Sequence, residues 1–385
     1  MTEYRKDIIN AAAAALPWEK LEDRNILVTG ATGLIGGCLV EILMAHRERS
    51  YHVFAAGRDE KRAHARFARY WHDERFHFIK FDVSEPLAGD AVFHYIIHAA
   101  SNASPVFFAK SPVEIIKSNV YGTANLIDYG RNHGMERFLY VSSGEIYGQG
   151  TGEKAFTETD SGYVDCATPR ACYPSSKRAA ETLCVAYAEE YGVDAVIVRP
   201  SHTYGPHFTG SDNRVFCQFI RNVLRGEDIV MKSDGSQMRS WCYVADCALA
   251  MLYVLLNGER GNAYNIADTS SVFSIREMAE TLAHQAGRKV VFAIPEDARR
   301  RFSRRFLCRV CHRQAGGFGM ETPCRRLAAE AADHDTGGNG EGKLNASTTT
   351  QDKASHISAA SVPRRSGLQR TGGLAATTSC GRHWG

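Results

Sequence analysis

The chain has 385 residues, 44% of them hydrophobic and 23% charged, with a formal net charge of +3. These totals suit one large α/β domain with a smaller appended lobe. They give no strong pull toward nucleic acid or a membrane surface, and no apolar run reaches the roughly 18 residues a membrane helix needs.

At the start, Arg5 and Lys6 precede Ile8-Ile9-Asn10 and an alanine run to Leu16. Glu3, Asp7 and Asn10 interrupt what would otherwise be a signal-peptide outline, so residues 1–24 read as an amphipathic helical extension. The eleven cysteines show no disulfide-like spacing and read as free thiols of a cytoplasmic protein.

Asn25-Ile-Leu-Val-Thr29 reads as a short buried parallel strand. Gly30-Ala-Thr-Gly33-Leu34-Ile35-Gly36 follows at once, and Leu39 to Ala45 continues as a helix. Strand, glycine turn and helix in that order predict a dinucleotide-binding unit. Gly30 permits the tight turn, Gly33 lets backbone approach a pyrophosphate, and Gly36 lets helix and strand pack closely. The helix start supplies N–H groups and positive dipole to the phosphates.

Val53-Phe-Ala-Ala56 is the second strand and ends in Gly57-Arg58-Asp59. A carboxylate at the strand end favours a free ribose hydroxyl, hence NAD. Arg58 stands near that place, suited to cover the adenine or to meet a 2′-phosphate, which leaves NAD against NADP open. Phe78-Ile-Lys-Phe81 is the third strand, with Asp82-Val83 placed to touch the adenine. Tyr95-Ile-Ile-His98 is the fourth, and Ala99-Ala100-Ser101 lets a cofactor lie across the strand ends. Asn119, on the next helix, is placed either to bridge to a catalytic lysine or to bond backbone.

Phe138-Leu-Tyr-Val141 is the fifth strand and runs into Ser142-Ser143-Gly144-Glu145. Tyr173-Pro-Ser-Ser-Lys177 then opens a helix, and its two ends share one face. A phenol ordinarily ionises near about pH 10. An ammonium about 4 Å away, at an effective dielectric near ~20, supplies roughly the 4 kcal/mol that brings it toward neutrality. Tyr173 then serves as base, Lys177 as its tuning charge and Ser143 as the anchor of the reacting hydroxyl, while hydride leaves for a nicotinamide. The reading needs no metal.

Together these residues resemble the extended short-chain dehydrogenases, the NAD-dependent epimerase/dehydratase family, over about residues 25–297. The resemblance implies a Rossmann-type doubly wound parallel sheet: an NAD-binding domain over 25–200 and a smaller C-terminal substrate lobe with returning sheet segments over 201–298. Pro169-Arg-Ala-Cys-Tyr173, Lys177-Arg-Ala-Ala-Glu-Thr-Leu-Cys184, Ala103-Ser-Pro105, Arg214-Val215 and Gly235-Ser-Gln-Met-Arg239 are most similar to the UDP-glucuronate decarboxylase branch. This implies a cytoplasmic homodimer, tightly held NAD, a nucleotide-sugar substrate, and Arg239 gripping the nucleotide diphosphate with its planar fork. Arg214 is carried over as a second substrate contact.

All branches oxidise carbon 4 of the sugar. A 4,6-dehydratase also protonates a leaving hydroxyl, and that branch carries Thr-Asp-Glu where this chain has Ser143-Gly144-Glu145. Here Glu145 remains and the acid is replaced by Gly144. A β-keto acid loses carbon dioxide without that acid, and a simple 4-epimerase needs no Glu145. Decarboxylase therefore ranks first, dehydratase second and epimerase third, with a non-catalytic NAD-binding protein as the reading of another class. His202 stands in Arg199-Pro-Ser-His-Thr-Tyr-Gly-Pro206 where these branches usually place Asn, which offers a donor and an acceptor to the substrate.

Beyond Arg299 the chain turns Arg, Gly, Ser and Thr rich and loses its period. Cys308-Arg-Val-Cys311-His312 matches a haem-attachment pattern, without the export that pattern requires. Read one base later, the codons of His312 to Pro323 permit Thr-Gly-Lys-Leu-Glu-Ala-Leu-Gly-Trp-Lys-Pro, which resembles the family's C-terminal signature. Residues 299–385 are therefore expected to be an aberrant, disordered tail produced by a change of reading frame between about Pro295 and His312.

Overall fold

The structure is a computed structural model that describes residues 1–48, 50–150 and 155–295. The tail from 299 onward, with its Cys308–His312 pattern and expected change of frame, lies outside the described residues.

The chain opens with α1 (Glu3–Ala12) and then alternates β1 (Asn25–Thr29), α2 (Leu34–Ala45), β2 (His52–Gly57), α3 (Glu60–Phe67), β3 (Phe76–Lys80) and β4 (Tyr95–His98). The short α4 (Pro105–Lys110) leads into the long α5 (Pro112–Asn132), β5 (Arg137–Val141), α6 (Cys172–Tyr191) and β6 (Ala195–Pro200). Next come β7 (His202–Tyr204), α7 (Val215–Leu224), β8 (Ile229–Met231), β9 (Met238–Tyr243) and α8 (Val244–Asn257). The described part closes with β10 (Ala263–Ile266), β11 (Val272–Ser274), α9 (Ile275–Gln285) and β12 (Val290–Phe292).

Seven strands form one sheet in the order β3-β2-β1-β4-β5-β6-β10, with every neighbouring pair parallel. This is the doubly wound Rossmann order with one strand added, and the order reverses between β1 and β4. Ligands of such sheets bind at the carboxyl ends of the strands beside that reversal.

Alternation along each strand explains why both faces are covered. Ile26 and Val28 of β1, Ile97 of β4, Leu139 and Val141 of β5, and Val196 and Val198 of β6 pack into the core under α1, α2 and α8. Leu27, Ile96, Phe138, Tyr140, Ala195 and Ile197 point the other way, into the core under α5 and α6. A strand buried on both faces needs an unbroken apolar run, and that is how these segments read.

β3 begins and ends earlier than its sequence suggests, at Phe76–Lys80 rather than 78–81. Its register is set by β2: His77 lies opposite Phe54, its ring within 3.0 Å of the His52 ring. Phe81 has left the strand, though its N–H still reaches Gly57 O at 3.0 Å.

After β6 the chain builds two small sheets, β7-β9-β11 and β8-β12. Trp241 of β9 is buried between Phe273, stacked at 5.6 Å, and His202, edge-on at 5.6 Å. The N-terminal helix bonds to both parts of the molecule. Tyr4 donates to Glu41 of α2 at 2.6 Å, and Tyr243 of β9 donates to Asp7 at 2.8 Å.

Candidate active site

A cleft of about 1190 Å³, counting its open mouth, lies at the carboxyl end of the large sheet. Its floor is the glycine turn. Gly30 has φ +66, and a Cβ there would sit 2.6 Å from Ala99 O. A Cβ on Gly36 would sit 2.4 Å from Gly30 O. Gly33 differs: a Cβ there meets only Gly30 O, at 3.1 Å, so its outer side is open. Gly33 is also the N-cap of α2, makes no side-chain cap, and is followed by a first turn without a carboxylate. The N–H groups of Leu34, Ile35 and Gly36 thus open the helix beside an uncovered backbone, the arrangement a pyrophosphate fits.

Sequence reasoning missed what braces this turn. Arg62 donates to Thr32 O at 2.7 Å and Arg66 to Gly33 O at 2.8 Å. Arg66 is itself paired with Glu41 at 3.0 Å, with its side chain 7% exposed. Both reach the turn from α3, and nothing in the local spacing reveals that they fold back onto it.

Ser143, Glu145, Tyr173 and Lys177 all line this same cleft. Tyr173 and Lys177 are buried, on one face of α6. The Ser143 side chain hydrogen-bonds the Tyr173 phenol and also accepts the Glu145 N–H at 3.1 Å. Lys177 Nζ donates to Val141 O at 2.7 Å and lies 4.7 Å from the Tyr140 ring centroid. It is 5.8 Å from the Tyr173 ring centroid.

The strongest influences on the phenol are burial and groups other than Lys177. Burial, and then the Glu145 charge, push the Tyr173 phenol up to about 12; the Ser143 bond, Arg214 and Arg170 oppose them. Burial lowers Lys177 to about 7, against the opposing charge of Glu181. One N–H of Lys177 is directed at the β5 carbonyl of Val141.

Asn119 neither bridges to Lys177 nor bonds backbone through its amide. It is fully buried, and its Nδ2 donates to Ser176 Oγ at 2.9 Å. Arg58, Asp82, Val83 and Ala100 do not line the cleft. Arg58 pairs with Asp82 at 3.5 Å beyond the end of β2. The Asp82 carboxyl is held low despite its burial, by hydrogen bonds from Ser84 and by Arg58. Val83 packs beneath Gly122, and Ala100 beneath Gly30.

His202 and Arg214 also line the cleft. Desolvation, then the charges of Arg239 and Arg214, lower His202 to about 3, so its imidazole is neutral and offers one donor and one acceptor. Like an Asn amide it can both donate and accept, though with one site of each kind. Arg214 is paired with Asp212 at 2.6 Å. Arg239 stands behind His202 rather than in the wall, and donates to Met238 O at 3.0 Å and Gln237 Oε1 at 3.1 Å.

The cleft also takes Ser101 and Ser142, which the sequence places at strand ends without a role of their own, and Ser201 and Asp212, which it did not select. The hydroxyls of Ser101, Ser142 and Ser201 are buried and have no hydrogen-bond partner among the described residues. Each follows the end of a strand of the large sheet, and that position was the available signal.

Comparison with known proteins agrees with this geometry. The model of the NAD dependent epimerase/dehydratase family matches residues 26–267. The chain belongs to that family. It is 35% identical to UDP-glucuronic acid decarboxylase 6 of Arabidopsis thaliana over 284 residues, 72% of this chain and 79% of the relative. It is 32% identical to UDP-glucuronic acid decarboxylase 1 of Xenopus tropicalis over 267 residues, 69% of this chain and 61% of that relative.

Solved structures share the fold of this family member. The dTDP-glucose 4,6-dehydratase of Bacillus anthracis in complex with NAD superposes with a TM-score of 0.65 at 20% identity, covering 78% of this chain and 91% of that one. The UDP-glucose 4-epimerase of Thermotoga maritima with UDP-glucose gives 0.64 at 22% identity, covering 76% and 91%. NAD is the cofactor of the family, and the open glycine backbone at the start of α2 fits its pyrophosphate. Among the described residues no helix is long and apolar enough to cross a membrane.

Proposed function

We propose that this chain converts UDP-glucuronate to UDP-xylose and carbon dioxide, with NAD regenerated in each turnover. The carrying observation is the sequence Ser143-Gly144-Glu145 at the cleft wall beside Tyr173. Glu145 is present, but the position that would protonate a leaving hydroxyl is glycine, which suits loss of carbon dioxide and not of water. The similarity to decarboxylases of 35% identity supports the same choice.

In this reading Tyr173 takes the proton of the carbon 4 hydroxyl and Ser143 holds that hydroxyl in line. Bound NAD supplies the hydride acceptor, and its positive ring favours the phenolate. Lys177, anchored to Val141 O, holds the nicotinamide ribose side of the cleft and adds positive charge. Glu145 faces the sugar beside the reacting carbons. His202 and Arg214 meet the nucleotide diphosphate and sugar, with Arg239 adding charge behind them. Arg58, Asp82 and Val83 form the adenosine end, and Asn119 positions α6 through Ser176.

The reading extends to domain organisation: an N-terminal helix over 1–24, a dinucleotide domain over 25–200 and a substrate lobe over 201–298. It also includes a homodimer in the cytoplasm. Val113, Ile116 and Tyr121 of α5 and Val185 of α6 are exposed on the outer faces of two helices that pack side by side, and a second copy would cover them. Incubation with a panel of nucleotide sugars, read by mass spectrometry, tests the chemistry. Loss of carbon dioxide from UDP-glucuronate supports the reading, and loss of water from a hexose, or an isomer of unchanged mass, replaces it with a dehydratase or an epimerase.

A further inference from the structure

Arg170 lies three residues before Tyr173, in the tight turn Pro169–Ala171 that leads into α6. Its guanidinium donates to Glu145 Oε2 at 2.6 Å. It also lies 4.6 Å over the Phe108 ring, and Phe108 stacks on the Tyr173 ring at 4.9 Å. Arg170, Phe108 and Tyr173 thus form a stack whose upper member grips Glu145. Arg170 is not part of the cleft lining, whereas Glu145 is. The side chain through which Arg170 makes its ion pair with the cleft wall is Glu145.

The following step rests on the decarboxylase reading. Carbon 5 of the sugar, which bears the carboxylate, adjoins carbon 4, whose hydroxyl must meet Tyr173. The carboxylate is then brought to the wall that holds Glu145. Two carboxylates at close range repel, and neither gains from being desolvated beside the other. We propose that Arg170 is a positioning residue that cancels the charge of Glu145 and so admits an anionic sugar beside it. The stack on Phe108 fixes the guanidinium plane for this task. The same pairing limits how far Glu145 disfavours the phenolate of Tyr173, since Arg170 acts on that phenol in the opposite direction.

A double-mutant cycle tests this on the full chain with NAD bound, in a Tyr173→Phe background that prevents turnover. Calorimetry measures binding of UDP-glucuronate and of UDP-glucose, which differ in the carboxylate. Arg170→Gln should weaken UDP-glucuronate by about five- to ten-fold and leave UDP-glucose unchanged. Arg170→Lys should retain most of the affinity. Adding Glu145→Gln to Arg170→Gln should restore UDP-glucuronate binding, because the charge to be cancelled is gone. Equal weakening of both sugars, or no restoration by Glu145→Gln, would overturn the proposal and leave Arg170 a purely structural residue. If the unmodified enzyme releases no carbon dioxide from UDP-glucuronate, the substrate reading fails and this inference falls with it. Release of carbon dioxide together with an inert Arg170→Gln overturns the inference alone.

Discussion

Tyr173 and Lys177 lie one turn apart on the same face of α6, yet the Lys177 ammonium bonds the Val141 carbonyl at 2.7 Å and stays 5.8 Å from the centre of the Tyr173 ring. The two groups share a place without sharing a proton. The phenol is pushed up to about 12 by burial and by Glu145, while burial brings the ammonium down to about 7.

The first prediction concerns the phenol. The difference in tyrosinate absorbance between the protein and its Tyr173→Phe variant should be absent near neutrality without ligand. It should appear when oxidised NAD is bound, because a positive ring beside the phenol favours the phenolate. The variant should lose turnover by about 100-fold or more and keep its affinity for NAD. A phenolate present without NAD would contradict the account.

The second concerns the buried ammonium. Its folded pKa lies below the unfolded value, so between about pH 7 and about pH 10 the unfolded chain holds a proton that the folded chain has released. Stability due to this group therefore rises with pH through that window, and its penalty is full at lower pH. Lys177→Met should raise the melting temperature most near about pH 6, with the gain shrinking toward about pH 10, while abolishing activity. A gain independent of pH would show that the ammonium is not the source.

Gly36→Ala tests the glycine turn. The added methyl would sit 2.4 Å from Gly30 O, a backbone atom that cannot move without distorting the turn. The substitution should cost about 1–3 kcal/mol of stability and weaken NAD binding, measured by chemical denaturation and fluorescence titration. Gly210, whose added Cβ would meet nothing within 4 Å, provides the control.

Behind the site, Arg199 pairs with Glu181 at 2.6 Å, with side chains 11% and 10% exposed, and also donates to Tyr147 Oη and Glu158 O. Removing one partner strands a buried charge. Arg199→Met should destabilise by about 3–5 kcal/mol in urea denaturation, and Arg199→Met with Glu181→Leu by clearly less. Equal losses for the single and double variants would mean that packing, not charge, dominates there.

Ile116→Glu on the exposed face of α5 should shift the assembly toward monomer in sedimentation experiments, with little change in the monomer's secondary structure. An unchanged sedimentation coefficient would remove the helix-face dimer from the account.

What the sequence made legible was local. β1, the glycine turn and α2 are contiguous, and Tyr173 and Lys177 are one turn apart, so period and spacing sufficed to place them. What it hid was the choice of partner. Lys177 bonds a carbonyl on β5, and every residue carries a carbonyl, so no side-chain signal marks that one. Phe108 under Tyr173, Arg66 behind Gly33 and Ser176 beside Asn119 are brought in from separate elements. The start of β3 was misplaced because its pairing with β2 includes His77, which a search for apolar runs passes over.

The most direct test of the central claim uses UDP-glucuronate carrying deuterium at carbon 4 and labelled carbon in its carboxylate. The account predicts that labelled carbon dioxide is released in step with UDP-xylose, that the deuterium is found again at carbon 4 of the product, and that no reduced cofactor accumulates. A product that retains the carboxylate carbon, or that has exchanged its carbon 4 deuterium for solvent hydrogen, would contradict it.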